Sequence, residues 1–220
     1  MAWSVALACA SAGEPAEVFR PGLRPDPDAA ARIARGLHPA GGLTETGDTV
    51  LDFALWPYED ELFVGAFGAA RDERALLVCD RRLFGLDDDA RRVADTAAAA
   101  LPGARCGVLV LHNVVRGCWF RWYEDAELRR DVFLTAEDGV IVDQGARLPA
   151  ERPFWRALDA GAPDVPLPFD PERFGLALAA AHMFGRGIAD RGKDGFLPLE
   201  LPLRRFKFGR RDRAGAGAAR

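Results

Sequence analysis

The stretch CGVLVLHNVVRGCWFRWYEDAELRRDVFLTAEDGVIVD, residues 106–143, points most directly to the fold. It contains four runs rich in β-branched and aromatic residues, 106–112, 117–123, 128–135 and 139–143. Short turn-forming segments such as Glu124-Asp125 and Glu137-Asp138-Gly139 separate them. Strands joined by such short turns pair antiparallel, so the stretch predicts a meander.

On its N-terminal side, Asp88–Leu101 predicts a helix. Asp87 stands at the cap, Val93, Ala94, Ala97, Ala98 and Leu101 form one stripe, and Pro102-Gly103 stops it. The trio Asp87-Asp88-Asp89 suits the positive end of the helix dipole, and no calcium-loop pattern surrounds it. Earlier still, Trp3–Ala10 predicts a first strand. Pro25-Asp26-Pro27-Asp28 caps a short helix carrying Ile33, Ala34 and Leu37 and closed by His38-Pro39. Segments 48–56 and 61–67 read as a hairpin turning at Pro57-Tyr58-Glu59-Asp60, and Ala75–Cys79 as another strand. Downstream, a Pro-rich loop runs through Pro168. A helix starting at Asp170-Pro171-Glu172 and ending near Phe184 follows, with Gly185 as its cap, and a last strand falls within Leu197–Phe208. Strands and helices are grouped rather than alternating, which predicts an α+β fold: one domain over 1–208, a mainly antiparallel sheet and three to four helices. Residues 209–220 read as a disordered basic, Gly/Ala-rich tail.

The 220 residues are 49% hydrophobic and 28% charged, ordinary for a globular chain. Basic residues are almost all Arg, with Lys193 and Lys207 the only lysines, a usage typical of high-GC bacteria. From Leu203 to Arg220 there are seven basic residues and one acid, a net of +6, which leaves −10 on residues 1–202. The basic end suggests a nucleic-acid contact through Arg204, Arg205, Lys207, Arg210, Arg211 and Arg213, weighed against a plain last strand with a frayed end. Cys9, Cys79, Cys106 and Cys118 are far apart and read as free thiols of a reducing compartment. No C-x-x-C occurs and His38, His112 and His182 are isolated, so no metal or cofactor is predicted. The first basic residue is Arg20, unlike a secretory signal, and no apolar run is long enough to span a bilayer. These features predict a cytoplasmic protein.

GIADRGKDG, 187–195, nearly matches the phosphate-binding loop. Such a loop needs a strand before it, a helix after it and a hydroxyl following the lysine. Here a helix precedes, a strand-like segment follows, Asp190 would repel phosphate and Asp194 replaces the hydroxyl. Gly187, Gly192 and Lys193 are therefore read as a false nucleotide site.

Candidates for chemistry are few. His112 and Cys118 stand at the facing ends of neighbouring strands, the arrangement of a thiol and its base, though no third group orients the imidazole. Asp143 and Glu151 share a loop and form a possible acid–base pair. In Trp119-Phe120-Arg121-Trp122-Tyr123, strand periodicity puts Trp119, Arg121 and Tyr123 on one face. That face is either a stacking platform or a packed surface, with Trp155 and Phe169 as further contact residues of the loop.

At DQGARLPAERPFW (143–155) and PLPFDPERFG (166–175) the chain resembles an uncharacterised family of high-GC, actinobacterial-type proteins, the domain of unknown function numbered 6928. The resemblance extends through 112–145 and, more weakly, towards the N-terminus, which implies one domain. It carries no assigned activity, cofactor or substrate, and its matching positions are mostly turn-formers and packing aromatics. The leading expectation is a cytoplasmic, non-enzymatic binding or regulatory module that takes an unknown protein or small molecule on a sheet face bordered by the loop 143–170. The alternatives are an enzyme built on His112, Cys118, Asp143 and Glu151, and a nucleic-acid binder using the basic end.

Overall fold

A computed structural model describes residues 3–39, 42–68, 74–160 and 166–208. Among them are ten strands: β1 (Val5–Ala12), β2 (Arg24–Pro25), β3 (Leu43–Val50), β4 (Glu61–Gly68), β5 (Arg74–Asp80), β6 (Arg105–His112), β7 (Gly117–Glu124), β8 (Glu127–Thr135), β9 (Gly139–Gly145) and β10 (Pro202–Phe208). They form one antiparallel sheet in the order β3-β10-β4-β5-β1-β6-β7-β8-β9, with β2 beside the far half of β4. The fold is α+β, and β6 to β9 are the meander read from residues 106–143.

Six α-helices accompany the sheet among the described residues: α1 (Pro15–Val18), α2 (Pro27–Leu37), α3 (Leu51–Ala54), α4 (Asp88–Ala99), α5 (Arg152–Asp159) and α6 (Pro171–Leu178). Asp26, Asp87 and Asp170 cap α2, α4 and α6, each accepting a backbone N–H from the first turn. The last helix continues as a π-helical turn, Ala179–Phe184, ending at Gly185 with φ 69°. The Cys9 thiol donates to the Met183 carbonyl at 3.4 Å within that turn.

Three sequence expectations need correction. The hairpin over 48–56 and 61–67 does not form: β3 ends at Val50, the chain turns into α3, and β10 inserts between β3 and β4. Leu51, Ala54 and Leu55 are all buried at helical spacing, which strand periodicity cannot satisfy. The Pro-rich segment after β9 is not all loop, because Pro149 and Pro153 open helical turns that lead into α5. The helices also exceed the expected three to four, since α1 and α3 are single turns too short for a periodic signal.

Both faces of the sheet are covered. On one, α2 and α4 lay Ala30, Ala34, Ala90, Ala94 and Ala97 against Ala6, Ala8, Val64, Val78, Val108 and Val110. On the other, Phe174, Leu178, Phe184 and Trp155 pack on Leu7, Leu77, Leu109, Phe120, Val132 and Leu134. Gly175 lets α6 press onto the strands: a Cβ there would lie 2.7 Å from Cys118 Sγ and 2.8 Å from Leu111. Antiparallel sheets often leave one face to solvent. This one leaves only its edges and its two ends.

Candidate functional site

The aromatic face of β7 is closed. Trp119, Arg121 and Tyr123 are buried. Trp119 Nε1 donates to Asp131 Oδ1 at 2.8 Å and Arg121 Nε to Asp131 Oδ2 at 3.1 Å. Arg121 Nη1 donates to Tyr123 OH at 2.7 Å, and Tyr123 OH to Asp95 of α4 at 2.7 Å. A base cannot stack where α4 already lies, so the stacking platform is corrected to an internal network.

Asp143, Glu151 and Trp155 also have an internal role. Arg130 is fully enclosed and grips Glu151 with two parallel bonds, Nε to Oε1 at 2.8 Å and Nη2 to Oε2 at 2.7 Å. Glu151 further accepts Trp155 Nε1 at 2.6 Å and the Leu148 amide at 3.0 Å. Arg130 Nη1 reaches the Gln144 carbonyl at 2.9 Å and Asp143 at 2.6 Å. Arg147 pairs with Asp143 at 2.9 Å and covers the Trp155 ring at 4.0 Å. Burial would raise the Asp143 carboxyl, but Arg147 and Arg130 outweigh it and hold it below its usual value. With both carboxylates held by arginine, neither is free to act as a base, and the acid–base pair is corrected to a clamp that fastens α5 to β8. Phe169 is half-buried against Phe154 and Phe174.

His112 and Cys118 do not meet as nucleophile and base. The register opposes Leu111 to Cys118 and His112 to Gly117, so the two side chains leave on opposite faces. Cys118 lies under α6, where burial first and Glu151 second push its thiol far up. Native protein treated with iodoacetamide at neutral pH should keep Cys118 unmodified, with alkylation after denaturation; rapid labelling of the native thiol would restore the nucleophile reading.

In the loop 187–195, Arg186 pairs with Asp194 at 2.9 Å, and a Cβ on Gly192 would strike the Arg186 guanidinium at 1.7 Å. The Asp190, Gly192 and Gly195 amides donate to Gly187, Phe196 and Gly192 carbonyls. On β10, Arg204 pairs with Asp48 at 2.7 Å, Arg205 with Glu61, and Lys207 lies 3.8 Å from both Asp60 and Glu61. Three of the six cations proposed for nucleic acid are thus neutralised within the sheet. Arg210, Arg211 and Arg213 lie outside the described residues.

What stays open is the end of the sheet where β1, β4 and β7 start. There Trp56 packs on Phe84 with centroids 5.1 Å apart, and Phe84 meets His112 edge-on at 5.8 Å. The Arg81 guanidinium stands 5.3 Å from the Trp56 ring and 5.2 Å from Phe84. Around this row, Phe53 is 76% exposed, Tyr58 67% and Val114 79%, with Trp56 and Val115 also exposed. These are five of the seven exposed large hydrophobic residues described, the others being Leu128 and Ile141. Beside Trp56, Tyr58 and Arg81 lies a hollow of about 520 Å³, and beside His112 and Arg116 another of about 340 Å³.

Beneath the row, Asp80 is fully buried against Arg82 Nη2 at 2.7 Å and His38 Nε2 at 3.3 Å, with the Phe208 ring tilted against His38 at 4.2 Å. Burial would raise the Asp80 carboxyl, but its bonds to His38 and Arg82 and the arginine charge hold it low. Sequence reading missed this end because its residues come from separate turns. The one local cue is that Phe53, Trp56 and Tyr58 are aromatic in a stretch whose prolines and acids spell a turn.

No group of three or more His, Cys, Asp or Glu side chains among the described residues could hold a metal ion. A family model described as "Family of unknown function (DUF6928)" matches residues 4–206. No curated protein and no solved structure matches the chain.

Proposed function

Since the chain belongs to the family of unknown function DUF6928, which brings no activity of its own, we propose that it is a non-enzymatic binding module that docks a protein partner through the aromatic end of its sheet. The observation that carries this is the gathering of five of the seven exposed large hydrophobics around the Trp56–Phe84–His112 row. Soluble chains seldom leave such side chains contiguous without a use for them, and Trp, Tyr and Arg are the residues that dominate protein interfaces. Arg81 has no ion pair among the described residues and is oriented by stacking alone, so the complementary surface is apolar with a carboxylate at its border. The sheet face around Arg121 and the 143–155 segment act as scaffold, because the polar side chains of their networks are already matched internally.

The setting we propose is the cytoplasm. The four cysteines are all buried free thiols, and among the described residues no helix is long and apolar enough to cross a membrane.

Hydroxyl-radical footprinting, run on the purified protein and on the protein inside cells that naturally make it, tests the docking surface without knowing the partner. Phe53, Trp56 and Tyr58 should oxidise readily when purified and several-fold less in cells, while exposed Leu128 and Ile141 change little. Equal oxidation of the aromatic end in both settings would overturn the proposal.

A further inference from the structure

The hollow of about 340 Å³ beside His112 has a chemistry that partner docking leaves unused, and its size lies within the roughly 300–1,000 Å³ of small-molecule sites. It lies between Trp3, just before β1, the end of β6 and the start of β7, over Leu111 and Gly117. From the α6 side come two carboxylates. Asp170 uses Oδ1 to accept the Glu172 amide at 3.1 Å, and Glu172 uses Oε2 to accept the Trp3 amide at 3.0 Å. The second oxygen of each has no donor among the described residues. From the strand ends and the β6–β7 turn come His112, Asn113 and Arg116. His112 borders the hollow while its ring turns to the opposite face against Phe84. Neither Asn113 nor Arg116 has a side-chain hydrogen bond or ion pair among the described residues, although carboxylates share the hollow.

Unmatched acceptors on one wall and unmatched donors on the other select a ligand with both charges. A simple anion would face two carboxylates, and a simple cation would face Arg116. We infer that this hollow binds a small zwitterion bearing a primary ammonium and a carboxylate, the class of the free α-amino acids. The ammonium faces Asp170 and Glu172, the carboxylate faces Arg116 with Asn113, and half-buried Trp3 flanks the side chain. The inference stands independently of the docking surface around Trp56.

Calorimetric titration of the full chain with each common L-amino acid at millimolar concentration tests it, with the amide and the N-acetyl derivative of any that binds. At least one should give saturable heat, and losing either charge should weaken binding at least about tenfold. Two variants locate the site. Asp170→Asn keeps a good helix cap and removes the charge, and Arg116→Asn suits the positive φ of 44° there. Each should weaken the same titration at least about tenfold with an unchanged melting temperature, while Trp56→Ala leaves it unchanged. Absence of saturable heat throughout, equal binding of the amide and N-acetyl forms, or indifference to both site variants would overturn the inference.

Discussion

Replacing Glu151 by alanine is expected to lower folding stability by about 3–5 kcal/mol, read as a reduced urea midpoint with little change in slope. Arg130 and Glu151 are both completely buried, so removing the acid leaves Nε and Nη2 of the guanidinium unpaired and only Asp143 as counter-charge. The Trp155 indole and the Leu148 amide lose their acceptor in the same step. Replacing both partners together, Arg130→Met with Glu151→Leu, should cost less than Glu151→Ala alone, because no half-paired buried guanidinium remains. A single variant with wild-type stability would mean that water reaches Arg130 and that the clamp is open.

Trp56→Ala should weaken binding of the docked partner by about 2–4 kcal/mol, roughly 30- to 1,000-fold, the range of a central aromatic anchor. Its effect on stability should stay near about 1 kcal/mol, since the side chain is 40% exposed and its aromatic and cation–π partners among the described residues are Phe84 and Arg81. Surface plasmon resonance against the partner captured by photo-crosslinking at position 58 measures the first, and thermal unfolding the second. An unchanged affinity would move the interface elsewhere.

The two effects contrast the scaffold with the surface it presents, and they track what the sequence made legible. The meander was readable because β6 to β9 follow one another through short turns, so their pairing is local. The alternation in β7 was also readable, placing Trp119, Arg121 and Tyr123 together. Whether that face met solvent depended on Asp95 and its helix, which periodicity within β7 does not encode. Glu151 looked like a candidate base because its partner Arg130 sits 21 residues away on β8. The aromatic end was invisible for a related reason: Trp56, Phe84 and His112 lie in three separate segments, and only the folded sheet brings their rings together.

The position of β10 has a consequence for how the chain is made. Its partners, β3 and β4, are synthesised some 140 to 160 residues before it, as the Arg205–Glu61 and Arg204–Asp48 separations of 144 and 156 residues record. A nascent chain on the ribosome therefore holds two strands with no neighbour between them until residues 202–208 emerge. Contacts of such long range are slow to close and leave strand edges open to other chains meanwhile. Translation speed and chaperone occupancy while residues 202–208 emerge should therefore influence how much native protein accumulates.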